Sequence, residues 1–355
     1  MSSEVHGLHP DMPFREAAKP VIGQKLDEMF KFEAGTREGT DSEELHDMRV
    51  ASRRLREAMT IFAVCYPASA YKPLQRMARS LTRALGEVRD RDVLLETLGR
   101  YAKKAPSEEH AGIDDIVRVI RNERELHRAS MLHTLDVVDN AGFQHVLHVV
   151  LMQDPHAGAR HAKKAALDPQ ATLQENAQII CVERAATLYG YVPFIRDPAN
   201  EAELHEMRIA AKHLRYALEI FKVCFSQDID ERIEDIKEVQ EQIGTIHDCD
   251  VLIALVRQHL SVVAQRIHED LVARATQPLP HNDRLASVND LLQQQIALDP
   301  RPGLLSLLSR KTDERNRRYA EFIGWWDEQQ QANMRGTLYS CIAAVNRPEA
   351  QTEVP

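Results

Sequence analysis

Apolar side chains recur along this chain three and four residues apart, the spacing of helices that each bury one face. Ala17, Ile22, Leu26, Met29 and Phe30 mark a first helix over 14–32. Gly35 and Gly39 place a loop over 35–40. Asp41 and Glu44 have the spacing of a capping box, and Pro67 closes the helix they open. Helices over 71–98, 113–138 and 143–152 follow, with a loop at 103–107. After punctuation at 154–158 and Asp168-Pro169 the plan begins again. It has a helix over 170–189, a second capping box at Asn200 and Glu203, a helix over 203–225, and a long one over 229–264 with a break expected near Gly244. A more polar stretch, 276–303, carries Pro278, Pro280, Pro300 and Pro302; helices over 304–326 and 334–344 close the chain.

The second half repeats more than the pattern. Glu44–Arg56 and Glu203–Arg215 share E-L-H-x-M-R-[VI]-A-x-[RK]-x-L-R at an offset of 159. A second block, [LI]-G-x-[VI]-x-D-x-D-V-L, occurs at 85–94 and 243–252, at an offset of 158. Near-equal offsets make internal duplication the economical account. The expected fold is all-α: two pseudo-symmetric antiparallel four-helix bundles over 13–165 and 166–345, between a flexible leader (1–12) and a disordered tail (346–355). Gly86 and Gly244 are expected to permit close helix packing or a bend. Asp90 and Asp248 are expected to cap a helical turn or pair with cations.

On a helical wheel with His46 at 0°, Arg56 falls at about 280°, Arg49 at about 300° and Arg53 at about 340°. Met48, Ala51, Leu55, Ala58, Met59 and Phe62 lie opposite. The second copy sets His205, Arg208, Lys212 and Arg215 against Met207, Ala210, Leu214, Ala217, Leu218 and Phe221. A solvated helix face ordinarily mixes signs through Glu-Lys pairs one turn apart. Cations stacked this way destabilise an isolated helix, and here the arrangement occurs twice. Tyr216 and Lys222 fall near the second stripe. Arg76, Arg79 and Arg83 share a face of the next helix, where Lys237 matches Arg79, but Arg76 and Arg83 are matched by Glu234 and Glu241. Arg118, Arg121, Arg128, Arg315 and Arg318 are outlying candidates on other helices.

Net charge is −9, so the cationic stripes are local features of an acidic protein, unlike a general nucleic-acid binder. Cys65, Cys181, Cys224, Cys249 and Cys341 form no CxxC and read as buried thiols in a reducing compartment. The polar start offers no signal peptide and the longest apolar runs are far too short to span a bilayer; the expectation is a cytoplasmic protein with no membrane partner.

The two blocks resemble the CHAD domain, the conserved histidine α-helical domain. His46–Arg56 resembles its first signature, Leu204–Glu219 its second, and the likeness extends over about 14–345. His213 stands where the family usually has Arg. The resemblance implies paired helical bundles with a basic cleft or pore between them, binding of inorganic polyphosphate and association with polyphosphate granules.

The residues agree on physical grounds: a chain of oxyanions needs rows of donors, which Arg supplies in bidentate forks and a protonated His supplements. The polyphosphate site is therefore expected at His46, Arg49, Arg53, Arg56, His205, Arg208, Lys212 and Arg215, extended by Arg79, Arg83, Tyr216, Lys222 and Lys237. Nucleic acid is expected to bind at most weakly and non-specifically, since aromatics for base stacking are few. The alternatives are a helical enzyme of phosphate metabolism and a metal-chelating protein using His46 and His205. No Gly-rich phosphate loop or HExxH is present, and cations beside each His repel a metal ion. No catalysis, cofactor or metal is expected.

Overall fold

A computed structural model describes residues 5–153 and 167–344. The boundary expected at 165/166 and the tail 346–355 lie outside the described residues. Described residues are helical almost throughout, and the only β feature among them is an isolated bridge between Pro13 and Thr172.

The chain forms two compact units, and each draws on both sequence halves. The first comprises the described residues of Met1–Arg89, Arg128–Gly244 and Glu321–Pro355. It contains α1 (Phe14–Phe30), α2 (Glu33–Glu38), α3 (Ser42–Ile61), the N-terminal part of α4 (Ala68–Ala102) and the C-terminal part of α5 (His110–Asn140). It also contains α6 (Phe143–Met152), α7 (Leu173–Gly190), α8 (Glu201–Ile220) and the start of α9 (Ile229–Ala275). The second comprises Asp90–His127 and Thr245–Ala320, including α10 (His281–Leu298) and most of α11 (Arg301–Gln331); α12 (Met334–Ala343) belongs to the first.

In the first unit α1 packs on α3, α7 on α8, and α3 on α8. The buried faces of α3 and α8 match position for position. Leu45, Met48, Ala51, Ser52, Leu55, Ala58 and Met59 are buried in one; Leu204, Met207, Ala210, Ala211, Leu214, Ala217 and Leu218 in the other. Both helices end in a short 3₁₀ turn, Phe62–Cys65 and Lys222–Cys224. The matched Phe62 and Phe221 meet with ring centroids 6.2 Å apart, and Phe14 of α1 lies 4.7 Å from the first and 6.3 Å from the second. These three rings, fully buried, knit the two copies into one core.

The second unit has its own core of Leu98, Ile116, Ile120, Leu252, Val256, Val263, Leu304 and Leu307. Here the D-x-D-V-L block finds its role through its second aspartate. Asp92 accepts from Arg124 Nε at 2.6 Å, and its match Asp250 accepts from Arg315 Nε at 2.9 Å. Asp90 and Asp248 sit within helices, so neither caps a new turn.

Several expectations are corrected. Residues 33–38 are helix, because Arg128 donates to the Arg37 and Glu38 carbonyls at 2.8 and 3.1 Å and so satisfies the end of α2. α9 runs through Gly244 without a break. The polar stretch 276–303 holds α10. Asn200 donates to the Phe194 carbonyl at 2.9 Å and forms no capping box, whereas Thr172 and Glu175 at the start of α7 form one. The expected flexible leader is pinned at its end: Met12 is buried, and Leu173 and Gln174 donate to the Met12 and Pro10 carbonyls at 2.8 and 3.0 Å.

Candidate functional site

The site grows out of the α3–α8 contact. Because both helices bury the same face against a common core, the opposite stripes are held side by side. Lys212 of α8 lies close enough to Arg53 and Arg56 of α3, and to Arg208 on its own helix, for all three to disfavour its proton. Burial contributes most, and together they pull the Lys212 ammonium down to about 8. Arg56 is lowered by burial first and then by Arg79 of α4 and by Arg53. His205 is lowered by burial, then by Arg208 and Lys212. Among the described residues Arg53, Arg56, Arg79 and Lys212 form no ion pair with a carboxylate, although Glu57 lies near enough to Arg56 and Lys212 to favour their charge in part. Arg53, Arg56, Lys212, Arg208, His205 and Arg79 thus form one patch from three helices.

Arg49 and Arg208 are set by the other repeated block. A methyl group on Gly86 would lie 3.4 Å from Arg49 Nε, and one on Gly244 would lie 3.3 Å from Arg208 Nε. The helices run unbroken through both glycines, and each packs against the first arginine of the neighbouring cationic helix, closely at Gly244 and at ordinary contact distance at Gly86. His46 is half-buried near the start of α3.

Two cross-links hold the stripes in register. Glu57 of α3, 4% exposed, contacts His213 Nδ1 of α8 at 2.5 Å and pairs with Arg184 of α7. Burial opposes its charge, but His213 and Arg184 prevail and hold the carboxyl below its ordinary range. In return, Glu219 of α8 lies 3.4 Å from Arg54 of α3 and 3.5 Å from Arg215. Arg54 and His213 are matched positions, so each helix reaches across to a carboxylate of the other.

Other expected ligands are placed differently. Tyr216 does not present its face to a ligand: it is 4% exposed, with the Arg54 and Arg215 guanidinium carbons 6.0 and 5.1 Å from its ring centroid. The wheel put it on the stripe but could not register that α3 covers that point. Lys222 pairs with Asp230 at 2.8 Å and Lys237 with Glu234 at 2.8 Å. Arg83, largely exposed, pairs with Glu87 at 3.0 Å. Among the outlying cations, Arg118 pairs with Asp115, Arg315 with Asp250 and Arg318 with Glu314, and Arg128 is spent on carbonyls of α2.

Sequence reasoning missed Glu57. It lies at about 20° on the same wheel as His46, at the edge of the stripe read as purely cationic.

Among the described residues no three His, Cys, Asp or Glu side chains gather as a metal site requires, and no helix is long and apolar enough to cross a membrane. All five cysteines are free and buried, and burial pushes Cys65 and Cys224 up to about 12.

A helical chain with two coupled cationic signatures defines a class, and comparison identifies it. The CHAD domain family model matches residues 21–257, and the chain belongs to that family. The crystal structure of the CHAD domain from the plant Ricinus communis is similar in fold, with a TM-score of 0.57 and 23% identity over 86% of this chain and 96% of that one. PptA from Streptomyces chartreusis also matches, with a TM-score of 0.47 and 14% identity over 85% of this chain and 100% of that one. No curated protein matches the chain.

Proposed function

We propose that this chain binds inorganic polyphosphate at the patch of Arg53, Arg56, Arg79, Arg208 and Lys212, with His46, Arg49, His205 and Arg215 at its margins, and carries out no catalysis of its own. The observation that carries this reading is the gathering of Arg53, Arg56 and Lys212 from two helices, where among the described residues none of them forms an ion pair and Glu57, itself held by Arg184 and His213, only partly offsets their charge. Like charges held half-buried are unfavourable until an anion arrives, which is the signature of a binding surface built at the expense of stability. A linear run of oxyanions supplies one charge to each cation in a row, and family membership directs the choice to polyphosphate. On this proposal the two pseudo-symmetric sequence halves each contribute a basic helix to the lining of a cleft, and the protein resides in the cytoplasm at polyphosphate granules. Nucleic acid competes only weakly through its backbone.

The test is titration of long-chain polyphosphate at several salt concentrations, with single-stranded DNA and RNA of matched charge alongside. Neutralising the seven Arg and Lys residues of this site gives a log–log salt slope of about −5, and the two histidines when protonated bring it to about −6. Tight binding with that slope, a clear preference over nucleic acid and recovery of intact polyphosphate are expected. Equal or tighter binding of nucleic acid, or hydrolysis of the polyphosphate, overturns the proposal.

A further inference from the structure

The helices that follow the two cationic copies continue the patch on one side only. In α4, Lys72, Arg76, Arg79 and Arg83 fall within roughly 60° of one another on the wheel and rise about 16 Å along the axis. All four are exposed. Arg79 is near enough to Arg56 to lower its pKa, so this row is continuous with the patch.

The matched positions of α9, 158 residues on, are Asp230, Glu234, Lys237 and Glu241. Burial supports the register: Tyr71, Ala78, Leu81 and Leu85 are buried, as are their matches Ile229, Ile236, Val239 and Ile243. Lys237 stands in the same electrostatic relation to Arg215 as Arg79 to Arg56. It is nevertheless neutralised by Glu234 at 2.8 Å and faces Glu241, while Asp230 holds Lys222 at 2.8 Å. Four cations on α4, of which Arg83 alone forms an ion pair among the described residues, with Glu87, thus answer one cation and three carboxylates on α9.

We propose that the polyanion track is one-sided: a phosphate chain gripped at Arg53, Arg56 and Lys212 runs out along Lys72, Arg76, Arg79 and Arg83 of α4 and is turned away by Asp230, Glu234 and Glu241 of α9. This rests on reading the patch as a polyphosphate site and adds the residues that determine preference for chain length. A short oligomer fits the patch alone; a long chain gains the α4 row.

The experiment titrates the full chain with tripolyphosphate and with long-chain polyphosphate. Two exposed-surface variants, Lys72→Gln/Arg76→Gln/Arg83→Gln and Glu234→Gln/Glu241→Gln, are compared with the wild type; matched helical content and melting establish that they fold. The α4 variant is expected to weaken long-chain binding on the order of tenfold and to flatten its salt slope by about 2, with tripolyphosphate changed by less than about twofold. The α9 variant is expected to strengthen long-chain binding several-fold and leave tripolyphosphate unchanged. Long-chain affinity unmoved by the α4 variant, or equal changes for both lengths, overturns the one-sided track while the patch itself stands. A wild type that binds neither length overturns both proposals.

Discussion

α3 and α8 are the same helix to the core and different helices to a ligand. Their buried residues coincide at every matched position, and the Phe62–Phe221 contact joins them about a shared axis of packing. Their outward faces diverge where packing does not constrain them. Arg53 is matched by Lys212 and Arg54 by His213; one buried position differs as well, where the acid Glu57 is matched by the aromatic Tyr216. Packing fixed the frame twice over, leaving charge free to differ between the copies.

The comparison is broken most directly by removing each copy's cations in turn. Arg53→Ala with Arg56→Ala should weaken polyphosphate binding by about a hundredfold or more, since each charge-assisted hydrogen bond contributes about 1.5–3 kcal/mol. Lys212→Ala with Arg215→Ala should lose only on the order of tenfold, because Arg215 is already engaged by Glu219 and stacked on Tyr216. Isothermal titration of both folded variants at pH 7 checks the ranking; equal losses would mean the copies contribute alike.

The matched pair Glu57 and Tyr216 separates next, in stability. Glu57→Gln removes the charge that Arg184 and His213 share and should destabilise the protein by about 1–3 kcal/mol. Tyr216→Phe keeps the ring beneath both guanidinium groups and should change stability by less than about 0.5 kcal/mol. Urea unfolding measures both.

The Arg53/Lys212 difference appears in pH dependence. Lys212 titrates at about 8 in the free protein, and a bound anion raises it, so binding takes up a proton above that value. Affinity should be flat with respect to this group below pH 8 and fall as pH rises from 8 towards 10. Lys212→Arg should flatten that fall, and a wild-type profile with no decline there would remove Lys212 from the site. In the absence of ligand, Lys212→Met should raise Tm by relieving the clash with Arg53, Arg56 and Arg208. The smallest effect is expected from Lys222→Ala: its ammonium is committed to Asp230, and affinity should change by less than about twofold.

Much of this was legible in the sequence because it depends on one helix at a time. The apolar stripe of α3 and α8, the duplication and the opposing cations follow from a period of 3.6. What escaped depends on neighbours. Tyr216 is near the stripe by angle yet buried, with Arg54 of the adjacent helix and Arg215 of its own over the ring. Lys222 and Lys237 are cationic by type and neutralised by Asp230 and Glu234 across and along the chain. Gly244 suggested a break in α9, yet the helix is continuous and the missing side chain makes space for Arg208. α10 was hidden because prolines near its two ends made the whole stretch look irregular, although Pro280 only precedes the helix and Pro300 follows it.

The carboxylate–imidazole contact between Glu57 and His213 has a consequence for symmetry itself. If two identical halves associated face to face, every side chain at the seam would meet the environment its twin meets. An acid at 57 would then come with an acid at the matched place, and neither could be offered a histidine without offering one to both. Joining the halves in one chain lifts that restriction. The seam can carry an acid on one side and an aromatic on the other, and a surface that a two-fold axis would leave without polarity acquires a direction.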